Sequence, residues 1–304
     1  MLLIVNPRAA GGRVGRTWSR VVEGLRAAGP ALEVVPTTGP GDATNLARMA
    51  AATGTRDVGV VGGDGTLNEA VNGLVEDDRL LHDTRLTLLP MGSGSDFARS
   101  LDLPQAATAM PVLLASEAFR AVDVGRARFL RPDGTEGVRY FLNILEAGAG
   151  GEVMKRVNRS RKLLGARLAY LGAILRTLAT YQNPRVRVEL DGRLLVEGRL
   201  NSVIAANGRH YGRGLLPAPE AEPDDGLLDV VLFGDVGFRE ALTSMRRLRK
   251  GTHLTHPKVS AHRGASLTAS SEEEVPIEMD GEVVGRLPMD VRLLPRLLPV
   301  RVLP

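Results

Sequence analysis

Cysteine is absent from the 304-residue chain, which excludes disulfide scaffolds, thiolate metal sites, iron–sulfur clusters and cysteine nucleophiles together. Aromatic residues are only 4%, leaving little to stack on bases, and the net charge of +4 is too mild for a nucleic-acid surface. Lysine occurs four times, at Lys155, Lys162, Lys250 and Lys258, and none follows a glycine, so there is no Walker-type loop. The spacing Gly-x-Gly-x-x-Gly is missing too, which argues against a dinucleotide-dependent dehydrogenase. No apolar run reaches the roughly 18 residues that span a bilayer. The start, Met1 to Pro7, has no basic n-region or cleavage site of a secretory signal. A cytoplasmic location is expected, with peripheral contact at the inner face of the membrane left open.

The chain is rich in glycine (35) and proline (18), and is long enough for two domains. In the first hundred residues short apolar runs alternate with amphipathic stretches. Strands are expected at Leu2–Val5, Glu33–Pro36, 57–61 and 86–90, with helices at 16–28, Asp42–Ala52 and 66–75. All-apolar strands between helices indicate a doubly wound parallel sheet. Ligands of such sheets sit beyond the carboxyl ends of the strands. The loops there, 6–12, 37–41, 62–65 and 91–96, are all rich in Gly, hydroxyl or Asx residues.

After about residue 120 the pattern changes. Alternating segments at Arg185–Leu190, 193–206, 227–233, 258–268 and 283–294 predict a mostly antiparallel β-sandwich-like second domain, interrupted by helices at 152–180 and Phe238–Lys250. The boundaries expected are 1–121 for the α/β nucleotide-binding domain and 122–294 for the β-rich domain. A last strand near 299–302 is free, by its own residues, to return to either.

The sharpest local signal is Gly62-Gly63-Asp64-Gly65-Thr66-Leu67-Asn68, between an apolar strand and a helix. Glycines let the backbone approach an anion, and the helix N-terminus adds partial positive charge. Asp64 would repel phosphate unless a divalent cation lies between them, so the loop predicts Mg²⁺. Read blandly, the same string is a tight turn capped by Asp64 or Thr66.

This string, followed by Leu89-Pro90-Met91-Gly92-Ser93-Gly94-Ser95-Asp96-Phe97-Ala98, resembles the catalytic domain of the diacylglycerol kinase family, which includes bacterial lipid kinases and sphingosine kinases. The resemblance continues through residues 207–214, Pro217-Ala218-Pro219, residues 224–229 and Asp280-Gly281-Glu282, in family order. NAD kinases share the first block, but the strings that follow here look like those of the lipid kinases. The resemblance implies an ATP- and Mg²⁺-dependent lipid kinase whose last strand, about 295–304, returns to the first domain.

It further implies that Gly62, Gly63, Asp64, Gly65, Thr66, Leu67, Asn68, Gly92 and Ser93 hold ATP, with Thr37 also in contact. Asp64 and Asp96 would act through Mg²⁺, and Asp280 with Glu282 would form the base site, the proton acceptor being either. By itself Asp280-Gly281 between two apolar strands is a hairpin turn. The family's Gly-Thr-Gly-Asn-Asp stands here as Gly92-Ser93-Gly94-Ser95-Asp96; Ser93 keeps the hydroxyl, whereas Ser95 lacks the amide. In bacterial members the string at 224–229 resembles a structural metal loop, which carries over to Asp225 with the carbonyls of Glu222 and Leu227. A metal-free turn fits those residues nearly as well.

A kinase with no spanning segment must meet its lipid from the water side. Residues 151–176 hold seven basic side chains against one acid, including Lys155, Arg156, Arg159, Arg161 and Lys162. Such a helix can lie on an anionic leaflet, at about 1 kcal/mol per basic residue; an ordinary packed helix with a solvated face is the commoner outcome. ATP and a lipid are the expected partners, nucleic acid is not, and an exposed edge strand leaves a homo-oligomer open. The rival readings are a kinase of a soluble substrate such as NAD, and a non-catalytic nucleotide- or lipid-binding protein of the same fold.

Overall fold

The computed structural model describes residues 1–28, 31–105, 107–159 and 166–304. In the first half the chain alternates β1 (Leu2–Val5), α1 (Ala9–Ala28), β2 (Glu33–Pro36), α2 (Asp42–Ala52), β3 (Asp57–Gly62) and α3 (Asp64–Leu74). A two-stranded hairpin, β4 (Val75–Glu76) and β5 (Arg79–Leu80), precedes β6 (Arg85–Pro90), α4 (Asp96–Ser100) and α5 (Met110–Ala115). The parallel strands lie in the order β2-β1-β3-β6. Leu3, Ile4, Val58, Val60, Leu86 and Leu88 are buried, because helices cover both faces. In α1, Ala10, Gly11 and Gly12 hold left-handed backbone (φ 51°, 67° and 81°), so the regular helix starts only after Gly12.

The second half is β7 (Phe119–Leu130), β8 (Glu136–Phe141), β9 (Ile144–Gly148), α6 (Ala149–Arg159), α7 (Ala166–Thr180), β10 (Arg185–Leu190), β11 (Arg193–Arg199) and β12 (Ser202–Ala206). It continues through β13 (Leu228–Phe233), α8 (Phe238–Lys250), β14 (Val259–Gly264), β15 (Ser266–Ser270), β16 (Pro276–Met279) and β17 (Glu282–Arg301). The expected single strand over 193–206 is two strands: β11 pairs with β10, whereas β12 pairs with β9 and β13. Likewise 258–268 divides into β14 on β13 and β15 on β10 and β17. At both places the chain crosses from one layer of the sandwich to the other.

Between the layers lie Leu145, Ala147, Val203, Val230 and Ile277 from one side, and Val186, Val188, Leu267, Met289 and Val291 from the other. Strand alternation turns the neighbours Ile144, Glu146, Ile204 and Glu278 to the opposite face, under α6, α7 and α8. Strand β17 is 20 residues long and spans both halves. It pairs with β16, β15 and β7, and Val300 near its end lies parallel to Leu86 of β6. The last strand therefore returns to the first half and makes the main sheet continuous over 15 strands. Among the described residues no helix is long and apolar enough to cross a membrane.

Candidate active site

The two glycine-rich loops leave the carboxyl ends of β3 and β6 and meet. A Cβ on Gly92 would stand 2.4 Å from Gly63 Cα, so only glycine permits this contact. The Asp64 carboxylate ties the loops together: Oδ2 accepts from Asp96 N–H (3.1 Å) and Oδ1 from Phe97 N–H (3.2 Å). Asp64 and Asp96 both lie against Gly94, where a Cβ would meet Asp64 Oδ2 at 3.2 Å and Asp96 Oδ2 at 3.3 Å. Burial raises the Asp64 pKa, and burial and then the Asp64 charge push Asp96 up to about 6. Asp96 Oδ2 accepts from Arg213 N–H (2.8 Å), while its buried Oδ1 has no hydrogen bond and only Arg99 opposite at 3.7 Å. Ser95 takes left-handed backbone (φ 53°), the conformation that an Asn tolerates best, and its buried hydroxyl is unpartnered.

The hairpin between β16 and β17 turns through Asp280 (φ 47°) and Gly281 (φ 93°), with Met279 opposite Glu282. The turn is the hairpin its Asp-Gly pair predicts, and it also carries both carboxylates into the joint between the halves. Asp280 is buried and saturated. Oδ2 accepts from Asn68 Nδ2 (2.9 Å) and Leu142 N–H (3.2 Å), and Oδ1 from Asn143 N–H (3.2 Å) and Ile144 N–H (3.0 Å). Burial still pushes its pKa up to about 6. Glu282 is half-exposed and salt-bridged to Arg139 (2.6 Å), and its Oε1 lies against Gly65, where a Cβ would come within 3.4 Å.

A cavity of about 600 Å³ runs past Asp64, Asp96, Asp280 and Glu282. At one end it is lined by Gly63, Asp64, Thr66, Gly92, Ser93 and Asp96; Asp280 and Glu282 stand at the middle. At the other end Val153, Met154, Ile174, Val236, Met245 and Leu248 make an apolar slot between the sheet and α6, α7 and α8.

Residues 143–302 match the YegS C-terminal NAD kinase beta sandwich-like domain, and residues 1–127 the diacylglycerol kinase catalytic domain. The chain belongs to the bacterial diacylglycerol kinase family. It is 29% identical to a diacylglycerol kinase of Staphylococcus carnosus over 94% of this chain and 89% of that one. With a diacylglycerol kinase of Bacillus subtilis it shares 26% over 94% of this chain and 90% of that one. A crystal structure of a diacylglycerol kinase from Bacillus anthracis superposes with a TM-score of 0.73 at 25% identity, covering 100% and 96% of the two chains. This diacylglycerol kinase family member is thus an enzyme of the kinase type, with ATP and a lipid as the reactants its family implies.

Not every expected nucleotide contact borders the cavity. Thr37, Gly62, Leu67 and Asn68 do not line the cavity. Thr37 follows β2 and gives its N–H to Val5 O (2.8 Å). Asn68, expected on the nucleotide, is fully buried beneath the loop, giving its amide to Asp280 and to Tyr140 O and accepting from Arg139 (2.8 Å). At the expected metal loop, Asp225 Oδ1 accepts from Leu227 N–H (2.9 Å), its Oδ2 is salt-bridged to Arg263, and the Glu222 side chain pairs with Arg120. The Asp225 carboxylate is thus engaged by protein donors in this structure.

Of the expected membrane contacts, Lys155 pairs with Glu274 (2.9 Å) and Arg156 with Glu152 (3.0 Å), while Arg159 ends α6. Arg161 and Lys162 lie outside the described residues. Sequence reasoning missed Arg139, Glu146 and Glu278. Nothing marks Arg139 among 35 arginines, and the two glutamates sit in strands far apart in the chain.

Proposed function

We propose that this protein is an ATP- and Mg²⁺-dependent lipid kinase that transfers the γ-phosphoryl group to the hydroxyl of diacylglycerol or a related lipid. The single observation that carries the reading is the continuity of the cavity, which joins a phosphate cradle to an apolar slot with two carboxylates between them. In a kinase of NAD the slot would face a polar ligand. In a non-catalytic binder nothing would require Glu282 at the junction.

The glycine loops offer backbone N–H groups and the start of α3 to phosphate oxygens. Arg213, whose guanidinium reaches Ser93 Oγ (3.3 Å), adds the positive charge that these lysine-free loops lack. Asp64 and Asp96 fit Mg²⁺: two adjacent carboxylates, the second buried with an oxygen that has no hydrogen bond, suit an ion that takes one or two protein ligands and completes its shell with phosphates and water. Bound there, Mg²⁺ would offset charge on the phosphates. Glu282 accepts the proton of the lipid hydroxyl as its oxygen attacks the γ-phosphorus and ADP leaves. In this reading Asp280 is not the acceptor but holds the turn in place, which the four N–H donors on its oxygens support. Peripheral membrane contact near α6 belongs to the same proposal, since the slot opens beneath that helix.

The test is transfer of label from γ-labelled ATP into mixed micelles offering diacylglycerol, phosphatidylglycerol, ceramide and sphingosine, with NAD supplied separately. Label entering a lipid, and lost in Glu282→Ala and Asp64→Ala, supports the reading. Label in NAD alone, or in nothing despite ATP binding, overturns it.

A further inference from the structure

Helix α8 covers the apolar slot with one face and turns a different chemistry outward. Ala241, Met245 and Leu248 line the slot. Phe238, Leu242, Arg246 and Arg249 fall on a neighbouring row of the same helix, each three or four residues from the next. Phe238 and Leu242 are 44% and 45% exposed, and the two arginines are exposed as well. Helix α7, which packs against α8, adds exposed Leu175 and Arg176. One exposed leucine is ordinary. Three large apolar side chains on two adjoining helices, above an apolar cavity, mark an interaction surface.

The charges on this surface lack partners inside the protein. Helix α8 carries five cations, Arg239, Arg246, Arg247, Arg249 and Lys250, against one acid, Glu240. Among the described residues none of the five makes an ion pair. Glu240 is itself held by the Gly237 N–H (2.8 Å) and by Lys258 (2.7 Å). On α6, by contrast, Lys155 and Arg156 are engaged by Glu274 and Glu152. The helix dipole favours cations in the last turn, where Arg247, Arg249 and Lys250 stand, but disfavours Arg239 in the first. Fold stability therefore gives no reason for Arg239, nor for exposed Phe238 beside it. A basic row studded with apolar side chains, next to a slot for an acyl chain, complements anionic headgroups over hydrocarbon.

We propose that α8 and the adjoining face of α7 dock on an anionic lipid leaflet, with Phe238 and Leu242 entering the acyl boundary and Arg239, Arg246 and Arg249 meeting headgroup phosphates. The inference rests on the lipid-kinase reading and narrows its membrane contact from the region of α6 to α8. Docked in this way, the slot lies directly behind the helix that touches the leaflet. A lipid chain then moves from hydrocarbon to Val236, Met245 and Leu248 past a single layer of protein. The apolar pair anchors the helix, and the cations supply both the attraction and the preference for negative lipid.

The test is co-sedimentation of the full chain with phosphatidylcholine vesicles, with and without phosphatidylglycerol, for wild type and two multiple variants. Wild type is expected to bind only the phosphatidylglycerol vesicles and to lose affinity as salt rises. At about fivefold per cation, Arg239→Gln/Arg246→Gln/Arg249→Gln should weaken binding about a hundredfold, and Phe238→Ser/Leu242→Ser about tenfold. Turnover of dihexanoylglycerol, which dissolves as monomers, should match wild type in both variants and shows that they fold. Turnover of dioleoylglycerol in the vesicles should fall with binding. Wild type that binds both vesicles alike, or α8 variants that bind as wild type does, overturns the inference. So does loss of binding in Lys155→Gln/Arg156→Gln but not in the α8 variants, which moves the contact to α6. A dimer broken by Phe238→Ser/Leu242→Ser, with no vesicle binding, overturns it too and assigns the face to a second copy of the chain. Absence of transfer to every lipid while vesicles are still bound overturns the kinase reading alone.

Discussion

Separating Asp280 from Glu282 by mutation tests the division of labour between two carboxylates only two residues apart. In Asp280→Asn, one oxygen becomes an NH₂ group that faces two N–H donors, Leu142 and Asn68 or Asn143 and Ile144 depending on the rotamer. Each hydrogen bond to a charged acceptor contributes about 1.5–3 kcal/mol, so two lost bonds cost about 3–6 kcal/mol. At about 2–4 °C per kcal/mol for a chain of this size, Tm should fall by roughly 6–24 °C. Glu282→Gln removes a single half-exposed pair with Arg139 and should cost at most about 1 kcal/mol. Yet it removes the proton acceptor, and turnover should fall about 10²- to 10⁴-fold. Thermal denaturation and labelled-phosphate transfer on both variants give the four numbers. A Glu282→Gln enzyme that keeps its kcat, together with an Asp280→Asn enzyme that keeps its Tm and loses kcat, would show that the roles are reversed.

Gly92→Ala drives a methyl group into Gly63, and should cost about 1–3 kcal/mol in stability and weaken nucleotide binding, read by Tm with and without ATP. Glu278 has a native pKa raised to about 8 from an unfolded value of 4.5, so the folded state holds the extra proton. Its contribution to stability is present below about pH 4.5 and is lost as pH rises to about 8; the slope of Tm against pH over that interval should flatten in Glu278→Gln. At residues 222–227, a chelator added without nucleotide should leave Tm within about 1 °C, because Arg263 and Arg120 already neutralise the loop. A metal-dependent Tm that reaches the same value in Asp64→Ala would show that the loop binds an ion after all.

The parallel half was legible almost to the residue, since buried strands must be apolar throughout and the helices between them are not. The motif loops were legible for the same reason: glycine and Asx residues cluster where the strands end. The sandwich was read less well, because its strands change layers within one alternating run. Nothing in 193–206 announces that the break at Leu200-Asn201 sends β12 to a different partner from β11. Strand β17 was read as ending at 294, which is where its pairing with β7 slips between Leu294 and Leu298 around Pro295, before it resumes into the first half. Segment 119–148 was left without strands, although β7, β8 and β9 occupy most of it. Alternation there is interrupted by Gly and Arg, including Arg139, whose partners are 71 and 143 residues away.

Asn68 shows why a linear motif and a three-dimensional site need not divide the same way. It closes the string that begins at Gly62, so sequence order assigns it to phosphate. In the fold its amide faces away from the cradle, to Asp280 and Tyr140 O, and its oxygen takes Arg139, which also holds Glu282. One side chain thereby fixes the Asp280-Gly281-Glu282 turn of the second half against the helix that starts at the glycine loop of the first. Strand β17 supplies the covalent counterpart, leaving that turn at Glu282 and ending beside β6, the strand that carries the second loop. The separation between the glycine loops and Glu282 is thus set twice, once by the strand and once by the Asn68 hydrogen bonds. Under the proposed function, the asparagine that closes the motif ties the turn bearing the base to the helix behind the glycine loop.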